Sequence, residues 1–595
     1  MIMIMRDLLL SGHIVVDMPA PESTRWARPV PLIGDASAAA ERAADPAAWA
    51  FPEDQREAFY DILKARRDIR RFRADAVPEE ILTRVLTAGH AAPSVGHSQP
   101  WRFLVVRDPA IRDAAALMAE REKLAQAAGL DEESSRQLRD LSLEGIRAAP
   151  LGLVVCCDRR VPAQGVLGRA TFPDADLWSC ACAIQNLWLA SRAEGLGMGW
   201  VTLFRQQELA ELLGLPDGVV TLGWLCLGWP DEKPPEPGLE RRGWSRRLPL
   251  DQVVHADRWP GAPTPPPRSR LAAPAQEAVV AARDGGDEVL AVPGSLGILD
   301  TAIDRVLAVG NFTGGHLVLA AADHPVARHG VSAFASEVTR EVLEATAAGT
   351  SQGAVAARTA GLRVVAVDAG VDGPPVAGAE TIRFADARGD LVLTDALRPG
   401  DAAVLVELGK KLGFRLAAEG LIALGEAGIG NTTPAAALAA ALLGLTAEET
   451  VGLGAGADSD MLDRKREVVT RALARLDGRT DPVTMLGVLG GPEFAVLAGV
   501  VLGTARRGGI VVLDGLATSV AALLAVRIEP AVAAHLVAGQ RSRETAHAPV
   551  LRELGLEPLL DLRLRAGEGV GACLATGLLL GGLRLRAETA RTARQ

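Results

Sequence analysis

The sequence predicts two folded units of different class in one chain: an α+β domain, then an α/β domain whose parallel sheet is covered by helices. Three observations carry this prediction. The chain has 595 residues, more than one hydrophobic core usually serves. Trp259 to Pro274 holds six prolines in sixteen residues with no apolar period of 2 or 3.6, so it reads as an exposed, semi-rigid connector. After it come fully apolar runs separated by helical segments, the pattern of strands buried on both faces. The expected boundaries are a flexible N-terminal arm over 1–50, a first domain over 51–257, a linker over 258–275 and a second domain over 276–595.

Composition narrows the function classes. The net charge is −10 and no long basic block is present, which argues against nucleic acid as a partner. The six cysteines lack the C-x₂-C pairs that tetrahedral zinc needs, so no metal site is expected; they read as buried thiols of a reducing cytoplasm. The apolar start is interrupted by His13 and is not followed directly by a small-residue cleavage site, which disfavours a signal peptide. The longest apolar run, Met485 to Ala505, contains Pro492 and Glu493 and reads as a buried helix pair, not a membrane span.

The first domain opens with a helix over Gln55 to Arg67, where Phe59, Ile62 and Leu63 recur at helical spacing. It leads into Arg66-Arg67-Asp68-Ile69-Arg70-Arg71. Cations in a last turn suit the helix dipole, and the same arginines bracketing one carboxylate suit an anionic cofactor phosphate. Pro78-Glu79-Glu80 starts the next helix, with Ile81, Leu82, Val85 and Leu86 facing inward. The turn Ala91 to Trp101, dense in small and hydrogen-bonding residues, can bring backbone donors close to a flat ligand. Strands follow at Arg102–Val106, Leu153–Cys157, Gly199–Phe204 and Val219–Gly228, with a long apolar helix over Asp176 to Glu194 at the centre of the core or at a dimer interface.

RRDIRRF, AAPSVGHSQPWRFLVVRD, LEGIRAAPLGLVVCCDR, DADLWSCACAIQNLWLASRAEGLGMGWVTLF, WLCLGWPD and GWSRRLPL together resemble 5,6-dimethylbenzimidazole synthase, a specialised nitroreductase-like flavoprotein. The resemblance implies an FMN-bound homodimer in which reduced FMN reacts with molecular oxygen and is fragmented to 5,6-dimethylbenzimidazole, the lower base of cobalamin. NAD(P)H or a flavin reductase would supply the electrons. It further implies that Arg66, Arg67 and Arg70 hold the flavin and its phosphate, that Pro93, Ser94, Gln99, Gly199, Trp200 and Arg247 complete the cofactor site, and that Asp68 is the essential aspartate. Asp68 is expected to move a proton or to position the ribityl chain. Thr202 stands where serine is usual, and Trp178 where tyrosine is usual. An ordinary NAD(P)H-dependent nitroreductase is the competing reading of this half.

In the second domain strands are expected at Leu317–Asp323, Leu362–Asp368 and Ile510–Asp514. Ligands of parallel sheets sit at such carboxyl ends. N-capping of the next helix explains Asp323, Asp368 or Asp514 equally well. Gly425-Glu-Ala-Gly-Ile-Gly-Asn-Thr-Thr433, followed by Pro434, reads as a glycine turn opening a helix whose free amides bind phosphate, with Thr433 as cap. Glu568, set in Gly567-Glu-Gly569, reads either as an acid complementing a helix dipole or as a general base facing a cavity, its pKa raised by partial burial.

GVSAFASEVT, VAVDAGV, GEAGIGNTTPAAAL, GLGAGAD followed by RKREVV, VLGGPEFAVLAG, VVLDGLATSVAALLA and LGLEPLLDLRLRAGEGVGA resemble, in family order, nicotinate-nucleotide:dimethylbenzimidazole phosphoribosyltransferase. The implied reaction displaces nicotinate from nicotinate mononucleotide with the lower base, giving α-ribazole 5′-phosphate. Glu568 would deprotonate the base and Glu426 would assist at the ribose. Gly428, Gly430, Asn431, Thr432, Lys465 and Ser332 would bind the substrate. Ala427, Ser336, Leu453 and Ala566 replace the family's methionine, glutamine, arginine and leucine, which bears on base choice and on whether this half still catalyses. A half that binds base or nucleotide without turnover is the competing reading.

Overall fold

The computed structural model describes residues 47, 50–139, 145–241, 245–257, 259, 269–384, 388–452 and 459–592. Nearly all of the expected arm over 1–50, the linker stretch 260–268 and Leu453 fall outside these residues. The chain divides into two compact units, the division falling after residue 264.

The first unit begins with α1 (Glu53–Ala65) and α2 (Glu79–His90). Then come β1 (Trp101–Val106), α3 (Pro109–Ala127), β2 (Leu151–Asp158), the apolar α4 (Ala175–Ala193), β3 (Gly197–Val201) and β4 (Val219–Gly228). The four strands pair antiparallel in the order β1-β2-β4-β3. Cys180, Ala183, Ile184 and Leu187 of α4 are buried with Leu82 and Val85 of α2 over Leu153, Val155, Leu225 and Leu227 of the sheet. The inward face expected of α2 is therefore observed.

Three expectations for this unit are corrected. The arginines do not end a helix: α1 stops at Ala65, and Arg66 turns extended with ψ 130°. Tertiary pairing draws the segment out, because Ile69 donates to the Met198 carbonyl at 3.0 Å and Arg73 to that of Trp229 at 2.9 Å. Consequently the α1 face formed by Phe59 and Leu63 is exposed within this unit. β3 ends at Val201, so Thr202 lies exposed beyond it. Cys156, Cys157, Cys180 and Cys226 are buried as expected, but Cys182 is exposed.

The second unit is organised around six parallel strands: β5 (Gly315–Ala322), β6 (Leu362–Gly370), β7 (Glu380–Thr381), β8 (Leu421–Ala427), β9 (Val511–Leu513) and β10 (Leu536–Ala538). Their order is β10-β9-β8-β5-β6-β7, with β8 and β5 central. β8 is absent from the sequence expectation, which took Gly425 and Glu426 for a turn; their strand pairing with Leu319 and Ala320 overrides the glycine signal. Helices cover both faces. α5 (Asp401–Leu416) packs on α7 (Pro492–Arg506) so closely that any side chain at Gly409, Gly413, Gly499 or Gly503 would strike backbone. Short α6 (Pro482–Leu489) precedes α7, which is the expected buried helix pair.

Glu493 at the start of α7 is wholly buried, its Oε1 2.6 Å from Nε2 of His324. Closing the unit, α8 (Val570–Glu588) is long and apolar enough to cross a membrane, but 56% of it is buried here. Within the expected linker, Ser269 Oγ and the Arg270 amide both bond the Glu529 carboxylate, and Leu271 packs on the core. A proline-poor end with an apolar residue gains more from docking than from solvation.

Candidate active sites

In the first unit, Arg66 to Arg71 crosses the edge of the sheet beside Met198, where Asp68 makes a single parallel bridge. Gly199 makes this possible, because any Cβ there would collide with the Ile69 carbonyl. The Asp68 carboxylate receives the Trp200 amide at Oδ1, 3.1 Å, and pairs with Arg70 through Oδ2. Burial pushes its pKa up, against the downward pull of Arg70.

Arg66 lies 4.6 Å from the Trp188 ring centroid, a cation–π contact. Burial holds its guanidinium below the usual arginine range; Asp68 opposes the shift, while Arg247 and Arg67 add to it. Arg67 spends its donors on main chain, bonding the carbonyls of Lys64 (2.6 Å), Arg66 (2.8 Å) and Pro235 (2.9 Å). Arg70 and Arg66 thus act on Asp68 while Arg67 and Arg247 act on Arg66, a surplus of positive charge that fits a phosphate dianion. Gly199 and Trp200 serve by placing Asp68.

Pro93, Ser94 and Gln99 belong to a second feature. Ser94 Oγ accepts the Gln99 amide at 3.1 Å, and Ser179 on α4 accepts that of Val95 at 3.1 Å. Gly96, His97 and Gln99 are left-handed, with φ of 53°, 53° and 46°. Such backbone outliers at non-glycine residues concentrate at ligand sites. Pro93 and Thr202 are exposed, and Trp178 packs on Phe172 with centroids 5.7 Å apart.

The second unit holds a cavity of about 380 Å³ at the carboxyl ends of β8 and β9. It is lined by Glu426, Gly428, Asn431, Thr432, Asp514 and Glu568, and on its apolar side by Phe334, Val338, Val342 and Leu564. Ala427 and Ala566, two of the smaller replacements, also line it, whereas Ser336 caps no backbone amide at the start of the helix Glu337–Ala347. That size suits a small organic ligand.

Glu568 is the strained element: its φ is 57°, between Gly567 at 64° and Gly569 at 75°. A non-glycine residue there costs about 1–3 kcal/mol, so its surroundings must hold it. They do: Glu568 donates its amide to the Glu426 carbonyl at 3.2 Å, and its Oε2 accepts the Gly353 amide at 3.0 Å. Side chains at Gly353 or Gly425 would invade the Glu568 backbone. Asp514 does not cap the helix that follows it. It crosses to α8, accepting the Ala572 amide at 3.1 Å, and burial raises its pKa to about 6. Glu426 is pushed up to about 8 by burial, then by Asp514 and Glu493; the Asn431 amide, which bonds its Oε2, and the charge of Glu568 act in opposite directions on it.

The phosphate loop is rearranged from expectation. Thr433 does not cap; its hydroxyl is buried without a partner, and Asn431 is the residue before the helix Thr432–Leu443. Gly430 turns with φ 87° behind the lining residues. Lys465, 3% exposed, donates to Thr432 Oγ1 at 3.4 Å and is held below the usual lysine range by burial. It supports the loop from behind. Ser332 accepts the Phe334 amide at 3.2 Å and positions that wall residue. Arg543, Arg565 and Gln540 line the cavity and were missed, since isolated residues in irregular segments carry no periodic or glycine signal.

Comparison with known proteins places these sites in context. The nitroreductase family model matches residues 63–229 and a phosphoribosyltransferase family model matches residues 271–594. The 5,6-dimethylbenzimidazole synthase of Rhodospirillum rubrum is 42% identical over 199 residues, 33% of this chain and 94% of that protein. The nicotinate-nucleotide–dimethylbenzimidazole phosphoribosyltransferase of Thermus thermophilus is 40% identical over 308 residues, 50% of this chain and 92% of that protein. The crystal structure of CobT from Thermus thermophilus matches with a TM-score of 0.51 and 38% identity, covering 54% of this chain and 100% of that one. The chain therefore belongs to two families at once, the 5,6-dimethylbenzimidazole synthase branch of the nitroreductases in its first unit and the nicotinate-nucleotide–dimethylbenzimidazole phosphoribosyltransferases in its second.

Proposed function

We propose that this protein catalyses two consecutive steps in making the lower ligand of cobalamin: fragmentation of reduced FMN by oxygen to 5,6-dimethylbenzimidazole, then transfer of phosphoribose to that base. The observation that carries the reading is the pairing, in one chain, of an arginine cluster around Asp68 with a strained Glu568 facing a cavity.

In the first unit Arg66, Arg70 and Arg247 bind the FMN phosphate, and Arg67 fixes the main chain between them. The flavin supplies the ring atoms of the product and the electrons that reduce oxygen. Asp68, its pKa raised by burial, has Oδ1 fixed by the Trp200 amide and Oδ2 by Arg70, and serves to take a proton from the ribityl chain or to position it. NAD(P)H or a separate flavin reductase supplies the reduced flavin, and two copies of the chain complete this site across the exposed α1 face.

In the second unit one ring nitrogen of the benzimidazole attacks C1′ of nicotinate mononucleotide. The C1′–N bond breaks, and its electron pair leaves with nicotinate, whose pyridinium becomes a neutral pyridine. Glu568 takes the N–H proton from the attacking base, so charge balances without another co-reactant. Glu426, neutral below about pH 8, sits at the ribose and donates a hydrogen bond there. Gly428, Asn431 and Thr432 surround the phosphate, with Lys465 and Gly430 supporting their loop. Ala427 and Ala566 widen the wall that receives the base. Tethering raises the local concentration of a shared intermediate, to about millimolar for a short linker.

The test supplies full-length protein with FMN, a reductant, air and nicotinate mononucleotide, and follows products by mass spectrometry. α-Ribazole 5′-phosphate and nicotinate are expected in equal amounts. Intact FMN with no benzimidazole would make the first unit an ordinary flavin reductase, and no nicotinate release with added benzimidazoles would make the second a binding domain.

A further inference from the structure

Gln540 has no place in the chemistry above, yet it lines the cavity and is buried. It follows β10, and its main chain is clamped on both sides: Leu560 donates to the Gly539 carbonyl at 3.0 Å, and Arg541 donates to Leu560 at 2.8 Å. The side chain is 3% exposed and lies against Gly571 in the first turn after Glu568, where any Cβ would strike it. Its Nε2 donates to Asp514 Oδ1 at 2.9 Å, the oxygen that also accepts the Ala572 amide.

That contact fixes which way the amide faces. A carboxylate oxygen only accepts, so the NH₂ group must meet Asp514 and the carbonyl must point away from it. Gln540 Oε1 is buried without a hydrogen-bond partner, on a residue that lines the cavity. Leaving a buried amide oxygen unpaired is costly, and the cost disappears when a ligand brings a donor.

We infer that Gln540 is a specificity-determining residue: its Oε1 accepts a hydrogen bond from the bound substrate and selects ligands that carry an O–H or N–H at that point. The inference rests on the transferase reading of this cavity. The donor is either a sugar hydroxyl of the nucleotide or an N–H of the incoming base; a carboxylate or a ring C–H cannot serve.

Full-length protein and its Gln540→Met and Gln540→Glu variants are titrated calorimetrically with nicotinate mononucleotide, its 2′-deoxy and 3′-deoxy analogues, 5,6-dimethylbenzimidazole and its N-methyl derivative. Methionine keeps the shape without a polar tip, and glutamate keeps an acceptor oxygen while a proton on its other oxygen replaces the Nε2 donor to Asp514. Thermal unfolding checks that each variant folds, with Gln540→Leu replacing any Gln540→Met protein that does not. One donor-deleted ligand is expected to bind the wild type about tenfold more weakly than its parent. This penalty vanishes in Gln540→Met and persists in Gln540→Glu. A deoxy effect assigns the donor to the sugar, and an N-methyl effect assigns it to the base.

In turnover, Gln540→Met raises KM for the substrate whose donor-deletion penalty it abolishes, and any fall in kcat reports the Nε2 bond to Asp514 that the same substitution removes. Donor deletions that cost the variant as much as the wild type, for every ligand, overturn the inference. Binding of the parents without nicotinate release defeats the transferase reading but leaves this comparison decisive. No binding of any parent defeats both.

Discussion

Arg66 and Arg70 press positive charge on Asp68, with Arg67 and Arg247 beside Arg66, whereas Glu426, Asp514 and Glu568 crowd carboxylates into one cavity. The two excesses are relieved differently. A guanidinium does not give up its proton near neutral pH, so the first surplus must be met by an anion from outside. A buried carboxylate can instead take up a proton, and burial raises Asp514 to about 6 and, with Asp514 and Glu493 adding to it, Glu426 to about 8. The first unit is built to hold a charged ligand, and the second to store and move a proton.

Experiments that separate the two regions begin with the largest effect. Glu568→Gln should lower nicotinate release by about 1,000-fold, with FMN affinity unchanged in the same protein. Loss of FMN binding in that variant would mean the two regions are not independent. Asp68→Asn should cut benzimidazole formation from reduced FMN and air by about 100-fold while leaving nicotinate release intact, measured with added base. Gly413→Ala forces a methyl group onto the Val500 backbone and should destabilise the second unit by about 2 kcal/mol, read as a calorimetric transition that shifts while FMN stays bound.

The buried Glu426 also predicts a pH dependence. Glu426 is raised from 4.5 to about 8 on folding, so its contribution to stability is complete below about 4.5 and is lost as the pH rises through 8. Ligand-free thermal unfolding should therefore fall between those limits, and Glu426→Gln should flatten the slope. The smallest effect contrasts two neighbours. Arg66→Ala should weaken FMN binding about tenfold, and Arg67→Ala should weaken it less, because Arg67 donates to three carbonyls.

Much of this was legible in the chain. The helices over Glu79–His90 and Ala175–Ala193 and the strand Val219–Gly228 follow from apolar spacing and Pro or acid starts. So does the pair of helices around Pro492, while the site motifs were readable because glycine and charge are locally dense there. What could not be read depends on partners distant in sequence. Arg66 left its helix because Met198 and Trp229 offered strand-like bonds, and Glu426 became a strand residue because β5 lay beside it.

Residue type and order alone determined that the chain holds two units, one with an arginine-flanked aspartate and one with a glutamate between glycines, since those signals are local. Tertiary structure decided how each charge behaves. Glu426 keeps its proton because it is itself buried, with Asp514 and Glu493 beside it, and Asp514 anchors the turn of Glu568 by crossing to Ala572. Burial and through-space charge set a proton's affinity, and neither is encoded within reach of a single peptide segment.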